Sequence, residues 1–281
     1  PLALHKLWWA AQHCRALLTL YAARRFGFHE RRTLNLVLSL FPGIGLLDMA
    51  FEEEGFCVVR GPDLLWGGDV RRFRGPAGRF DGIIGGPPCQ AFSRLRFMVE
   101  QNGYQTAPNL IPEYERIVAE LQPAWFLMEN VEAAPQPIVD GYQVHAELLR
   151  DVWVGGETSR LRRFSFGTRD GRRLQVETLA LHCPNPEHAA MASGGGRPVP
   201  VALGGSGKLK RSAKSALKNY GYKTADAFEN HKRLQGIGAD FDLPGFTVSA
   251  KVKALGNGVP LPMGRAVARA VRLAMHEEAA A

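Results

Sequence analysis

The chain has 281 residues, 46% of them hydrophobic, which is material for one large domain or one domain with a smaller satellite. No apolar run approaches the ~20 residues that span a bilayer, so a transmembrane segment is not expected. The 35 Lys and Arg against 27 Asp and Glu leave a formal net charge of +8 at pH 7, which favours a polyanionic partner, although many basic proteins bind nothing of the kind.

The first 32 residues, "PLALHKLWWAAQHCRALLTLYAARRF" and its continuation, are partly apolar but interrupted by Lys6, His13, Arg15, Arg24 and Arg25. They lack the pattern of a secretory leader. They read as an amphipathic helix docked on the body or a partner, or as read-through from an upstream start. From "LNLVLSLF" (34–41) the pattern sharpens: a β-rich apolar run, the turn "PGIG", the helical stretch "LLDMAFEEEG" closed by Gly55, and a second strand "FCVV". Strand, glycine turn, helix, strand is a βαβ unit, which predicts a parallel sheet with ligands at its carboxyl edge. "FDGIIGG" and "AWFLMENV" supply two more strand-to-loop transitions, separated by a helix over 110–121. The first 150 residues therefore read as a doubly wound α/β domain. Between about 167 and 231 the chain turns rich in Gly, Ser and Lys, as an irregular insertion would. The helical pattern returns in "LPMGRAVARAVRLAMHEE", expected to pack back onto the first domain.

The four cysteines, at 14, 57, 89 and 183, show no regular spacing, so no disulfide framework is expected and a reducing cytoplasm fits better. His182, Cys183 and His188 lie close together, yet the four ligands of a structural zinc site are not there, and no metal is expected.

One stretch, "IIGGPPCQAFSRLR", ends an apolar strand in two glycines and two prolines and then presents Cys89. A cysteine fixed in a rigid loop at a strand end is placed to meet a ligand. In "FPGIG", Gly43 and Gly45 join a strand to a helix, so backbone N–H groups can face a ligand at the helix N-terminus; a tight turn in any α/β protein would look the same. Asp63, just past the second strand, can accept from ribose hydroxyls, and Asp69 in "GGDVRRF" can hold an adenine amino group. With no G-x-x-x-x-G-K-[ST] stretch, an adenosine-containing cofactor without a triphosphate is the better reading. Glu129 and Asn130 follow four apolar residues at the end of another strand, where a helix cap or solvated loop is the plain alternative. Cys89 and Glu129 then converge on one sheet edge, a nucleophile and an acid facing one cleft. In "SRLRRFSFG", Arg160 and Arg162 alternate along a strand, as a phosphate- or carbonyl-binding pair or as a solvated basic edge.

Taken together, "LFPGIG", "GGPPCQAFS", "MENV", "RLR" and "GNGVPLPM", in this order, closely resemble the motifs of the DNA (cytosine-5) methyltransferases, over about Leu34 to Met275. The resemblance implies a Rossmann-like α/β sheet binding S-adenosylmethionine and a small irregular target-recognition domain. It implies boundaries at 1–32 for an N-terminal helical extension, 33–166 for the catalytic and cofactor-binding domain, 167–231 for the recognition insertion and 232–281 for the return to the catalytic domain. Cys89 would be the thiolate that adds to C6 of a flipped cytosine, making C5 nucleophilic. Glu129 would contact N3 and the exocyclic amine, in protonated form as it acts, and Arg162 would hold O2 with Arg160 in support. On the cofactor side Phe41 would stack on adenine, Asp63 would bind the ribose and Asp69 the adenine amine. Gly43 and Gly45 would allow close backbone approach, and Leu110 and Asn257 match further cofactor positions. Lys208, Lys210, Arg211, Lys214 and Lys218 would contact DNA phosphates, with a solubilising loop as the alternative.

Double-stranded DNA is then the expected partner, a monomer the default state and the cytoplasm the expected location, with a companion restriction endonuclease left open. There are departures from the family pattern: Leu46 replaces the second glycine of a pair, Asp63 and Asp69 lie unusually close, and Thr158 stands where a glutamine is usual. Two rivals remain, a methyltransferase of the same fold acting on RNA and a DNA-binding homologue that does not turn over. A nicotinamide-dependent oxidoreductase rests on the glycine turn alone.

Overall fold

Three short apolar runs fill the middle of the sheet, and each is apolar on both faces because each is covered on both faces. Leu36–Leu40 (β1) and Gly82–Gly85 (β3) pair parallel, as do β3 and Trp125–Asn130 (β4), with Cys57–Arg60 (β2) parallel on the other side of β1. Val37, Ile84, Trp125 and Leu127 point to one face, and Leu38, Ile83, Phe126 and Met128 to the other. That is the period-two alternation of a strand, read here as two separate hydrophobic cores. The structure, a computed structural model, describes residues 35–88, 92, 108–158, 160–179 and 225–276. The described elements belong to one compact unit that starts at Leu36.

The sheet does not end at β4. Gln143–Arg150 (β5) and Leu161–Thr168 (β6) extend it in the order β2-β1-β3-β4-β6-β5, with β6 antiparallel to both neighbours. The parallel sheet expected from the sequence is therefore a mixed one. Residues 151–160 are too few for a crossover, which takes a dozen or more, so the chain can only return antiparallel.

Helix α1 (Leu46–Glu53) and the long C-terminal helix α5 (Leu261–His276) cover the first face, where Leu47 and Phe51 meet Met263, Val267 and Val271. On the other face lies α2 (Ile111–Leu121), which buries Ile111, Tyr114, Ile117, Val118 and Leu121 at helical spacing. Asn109 accepts from the Ile111 N–H at 3.0 Å and Pro112 sits in the first turn, so α2 starts one residue after Leu110. Helices α3 (Ala225–Leu234) and α4 (Val248–Asn257) form a smaller cluster in which Phe228, Val252 and Leu255 pack on Ile44 and Leu46.

Two of the expected boundaries fall inside regular elements. The 166/167 cut lies in β6, whose ladder with β4 continues to Thr168 opposite Trp125, and the 231/232 cut lies in α3. The change in composition is placed before the hydrogen-bonded ladder ends at Thr168 and its return after α3 has begun at Ala225, so texture is a poor guide to both points. Among the described residues, no helix is long and apolar enough to cross a membrane. The N-terminal helical reading and the lysine-rich run lie outside the described residues.

Candidate active site

The turn after β1 is clamped from below and from the side. Phe41, Gly43 and Gly45 all have positive φ, at 55°, 56° and 82°. A left-handed phenylalanine is uncommon and persists only where its surroundings hold it. Asp63 Oδ2 accepts from the Gly43 N–H at 2.8 Å, and Trp66 Nε1–H donates to the Gly43 carbonyl at 2.6 Å. Both backbone polar groups of Gly43 are thus held by the loop after β2. The second Asp63 oxygen accepts from the Leu65 N–H at 2.7 Å, which caps that loop's short helical turn.

Gly45 is glycine for a further reason. A Cβ there would stand 2.5 Å from Nη2 of Arg60, whose guanidinium fills the space behind the turn. Arg60 Nε lies 3.0 Å from Asp48 Oδ2, and Ser39 Oγ–H donates to Asp48 Oδ1 at 2.5 Å. Asp48 is wholly buried at the start of α1. Burial pushes its carboxyl above the usual range, and Arg60 and Ser39 work against that rise.

The other end of the site is built by register. Glu129 on β4 stands opposite Phe164 on β6, so Arg162, two residues earlier on the same face, is its diagonal neighbour. Arg162 Nε meets Glu129 Oε1 at 2.8 Å, with each side chain only 13% exposed. The loop after β3 passes directly over this pair: a Cβ on Gly86 would lie 2.9 Å from Glu129 Oε2. Asn130 Nδ2–H donates to the Pro87 carbonyl at 3.2 Å, joining the end of β4 to the Gly-Gly-Pro-Pro loop. Pro88 is the last described residue before Cys89, which itself lies outside the described residues.

Arg160 does not pair with the same carboxylate. Its Nη1–H donates to the Gly256 carbonyl at 2.8 Å, tying the start of β6 to the end of α4. The loop leading to it is held by buried Asp151, whose Oδ2 accepts from the Thr158 N–H at 3.1 Å and from Thr158 Oγ1–H at 2.6 Å. Thr158, the residue standing in the glutamine position, is therefore committed to the loop.

A cavity of about 420 Å³ joins the two ends. Phe41, Gly43, Asp63, Asp69, Leu110 and Asn257, the residues expected toward a cofactor, line it together with Glu129, Arg160 and Arg162. Gly45 stands behind the turn instead, against Arg60. Asp69 is engaged: Arg71 grips both its oxygens, at 2.9 Å from Nε and 2.8 Å from Nη2, and this hydrogen bonding holds the carboxyl below the usual carboxylate range. Lys208, Lys210, Arg211, Lys214 and Lys218 lie outside the described residues. Sequence reasoning passed over Trp66, Asp151, Phe246 and Lys253. Trp66 stands three residues past Asp63 and carried the only visible signal, an aromatic in a glycine-bounded loop.

A C-5 cytosine-specific DNA methylase model matches residues 67–219, more than half of the chain and the span holding Glu129, Arg160 and Arg162. The chain belongs to the C-5 cytosine-specific DNA methylase family. It shares 29% identity over 250 residues with Type II methyltransferase M.FnuDI of Fusobacterium nucleatum, covering 76% of this chain and 70% of that protein. With M.NgoPII of Neisseria gonorrhoeae it shares 34% over 116 residues, which span a third of each protein. In three dimensions the methylase-family chain is similar to methyltransferase EhMeth of Entamoeba histolytica, at TM-score 0.53 and 13% identity over 88% of this chain and 99% of the other. That likeness is one of fold alone, a Rossmann-like methyltransferase sheet.

Proposed function

We propose that this member of the DNA cytosine-5 methyltransferases transfers a methyl group from S-adenosylmethionine to C5 of a cytosine in duplex DNA, through thiolate addition by Cys89. The observation that carries the reading is the Glu129–Arg162 pair, 2.8 Å apart at one end of the cavity, under the loop that runs into Cys89. Two charged side chains locked against each other and nearly withdrawn from water form a preorganised polar edge for a flat heterocycle.

The cofactor fits the residues present. The cavity volume lies within the range of small-molecule sites. Pro42, Leu64, Leu65 and Leu110 line it with apolar surface suited to a nucleoside. A carboxylate has about four lone-pair positions, so Asp63 can take ribose hydroxyls while still accepting from Gly43 and Leu65. S-adenosylmethionine, when bound, supplies an electrophilic methyl group.

The residues of this chain then have distinct tasks. The Cys89 thiolate forms a bond to C6 as Glu129 meets N3, where the ring takes up a proton, so electron density collects at C5. Arg162 holds the Glu129 carboxyl in place and faces the ring carbonyl O2. Once C5 carries the methyl group, loss of its proton and cleavage of the C6–S bond return the thiolate. The target base lies inside a stacked duplex, so it has to be turned out into the cavity first.

The test is methyl transfer from labelled S-adenosylmethionine to unmethylated duplex DNA, with Cys89→Ala alongside and the product sequenced for 5-methylcytosine. Label at C5 in a short defined context, lost in the variant, supports the reaction and its nucleophile together. Transfer to RNA alone, or cofactor-independent DNA binding without transfer, would move the assignment to one of the two rivals.

A further inference from the structure

We propose that Lys253 is the cofactor's carboxylate anchor, a cation on α4 that pairs with the amino-acid end of the bound ligand. This rests on reading the cavity as an S-adenosylmethionine site. Ala250, Lys253, Ala254 and Asn257 fall at i, i+3, i+4 and i+7 and all line the cavity. The opposite face of α4, through Val252 and Leu255, is buried against Ile44 and Leu46. Helix α4 is therefore seated on the glycine turn by its apolar face and presents one charged side chain to the cavity between two alanines.

The charges around the cavity leave that cation available. Asp48 is matched by Arg60, Asp69 by Arg71 and Glu129 by Arg162. Asp63 is occupied by backbone N–H groups, and Arg160 by the Gly256 carbonyl. Among the described residues Lys253 has no acidic partner, and it is exposed. An ammonium kept on a cavity wall without a counter-charge suits a ligand that brings its own anion.

Position selects which anion. The nucleoside end of the cavity is marked by Asp63, Leu64 and Leu110, and the base end by Glu129 and Arg162. Lys253 lines the cavity from a helix whose Val252 and Leu255 pack with Ile44 and Leu46 of the glycine turn, the segment expected to face the aliphatic part of the cofactor. Its carboxylate is the anion a ligand would present at that point.

The experiment compares two ligands on the intact chain by calorimetry: S-adenosylhomocysteine, which carries the carboxylate, and 5′-methylthioadenosine, which lacks the amino-acid part. Lys253→Met, which keeps the stem and removes the charge, should weaken S-adenosylhomocysteine about tenfold or more and leave 5′-methylthioadenosine within about twofold. Lys253→Arg should recover most of the loss. Equal weakening of both ligands would make Lys253 a support for the turn and overturn the anchor. Unchanged S-adenosylhomocysteine binding, with weaker duplex DNA binding and a shallower salt dependence, would overturn it in favour of a phosphate contact. If the wild-type chain binds neither nucleoside, the cofactor reading itself falls, and Lys253 with it.

Discussion

Asn130 donates from Nδ2 to the Pro87 carbonyl at 3.2 Å, across 43 residues of sequence. Asn130 is 1% exposed and its own Oδ1 accepts from the Val131 N–H at 2.9 Å, so both ends of the amide are engaged in fixing two loops. The glutamate strand and the loop that carries the cysteine are thereby one rigid edge. Asn130→Ala leaves the Pro87 carbonyl without this donor, at a cost of about 1–3 kcal/mol. The expected result is a lower melting temperature with a larger loss of kcat than of cofactor affinity. Asn130→Asp, which cannot donate, should behave alike.

Gly86→Ala places a methyl group 2.9 Å from Glu129 Oε2, and among the described residues beyond its chain neighbours the next atom is the Glu129 carbonyl at 3.8 Å. The carboxyl has to move, while the sheet has no reason to. Methyl transfer should fall by about a hundredfold, the scale of a mispositioned general acid, with little change in thermal stability. A variant that keeps full turnover would remove Glu129 from the reaction.

Glu129 and Arg162 act as a unit, so their losses should not add. Glu129→Gln and Arg162→Ala should each cut kcat/KM strongly, and the double variant should be little worse than the more damaging single one. Additive effects would mean that the two side chains serve separate steps.

Trp66→Phe keeps an aromatic ring against Phe246, 5.9 Å away between centroids, and removes the Nε1–H that donates to the Gly43 carbonyl. A neutral hydrogen bond contributes about 1 kcal/mol, so S-adenosylhomocysteine affinity should drop roughly fivefold through the loosened turn. Calorimetry on the two proteins reads this directly.

Asp151 sets a pH dependence. Burial pushes its carboxyl above the ordinary value of 3.8, even though Thr158 donates to it twice. The folded chain therefore holds a proton that the unfolded chain releases. The group adds stability below its unfolded value and loses that contribution as the pH rises through the folded one. Relative to Asp151→Asn, which does not titrate, the wild type should lose stability as the pH rises above the ordinary carboxylate value. Urea midpoints for both proteins across that span would show it; a difference independent of pH would contradict the assignment.

Legibility in the sequence followed distance along the chain. The end of β1 in "PGIG", the end of β3 in Gly85-Gly86-Pro87-Pro88 and the end of β4 in Glu129-Asn130 were readable, because an apolar run broken by turn residues is a local signal. The mixed sheet was not, since a run of apolar residues states that a strand is buried and not which way its neighbour points. Asp69 shows the same limit: its residue type could be read locally, but not that Arg71, two positions on, donates to both its oxygens.

What the sequence by itself determined was the set of chemical groups and the strand ends that carry them. A cysteine and a glutamate, each at the carboxyl end of a strand, have to gather at one edge of a sheet whose central strands run parallel. Only the tertiary structure decided which groups touch. The β4–β6 register puts Arg162 beside Glu129, the loop after β2 closes on Gly43, and α4 turns Lys253 toward the cavity. Those pairings join residues tens of positions apart, and their geometry is set by packing, which fixes one arrangement among many that the same local preferences allow.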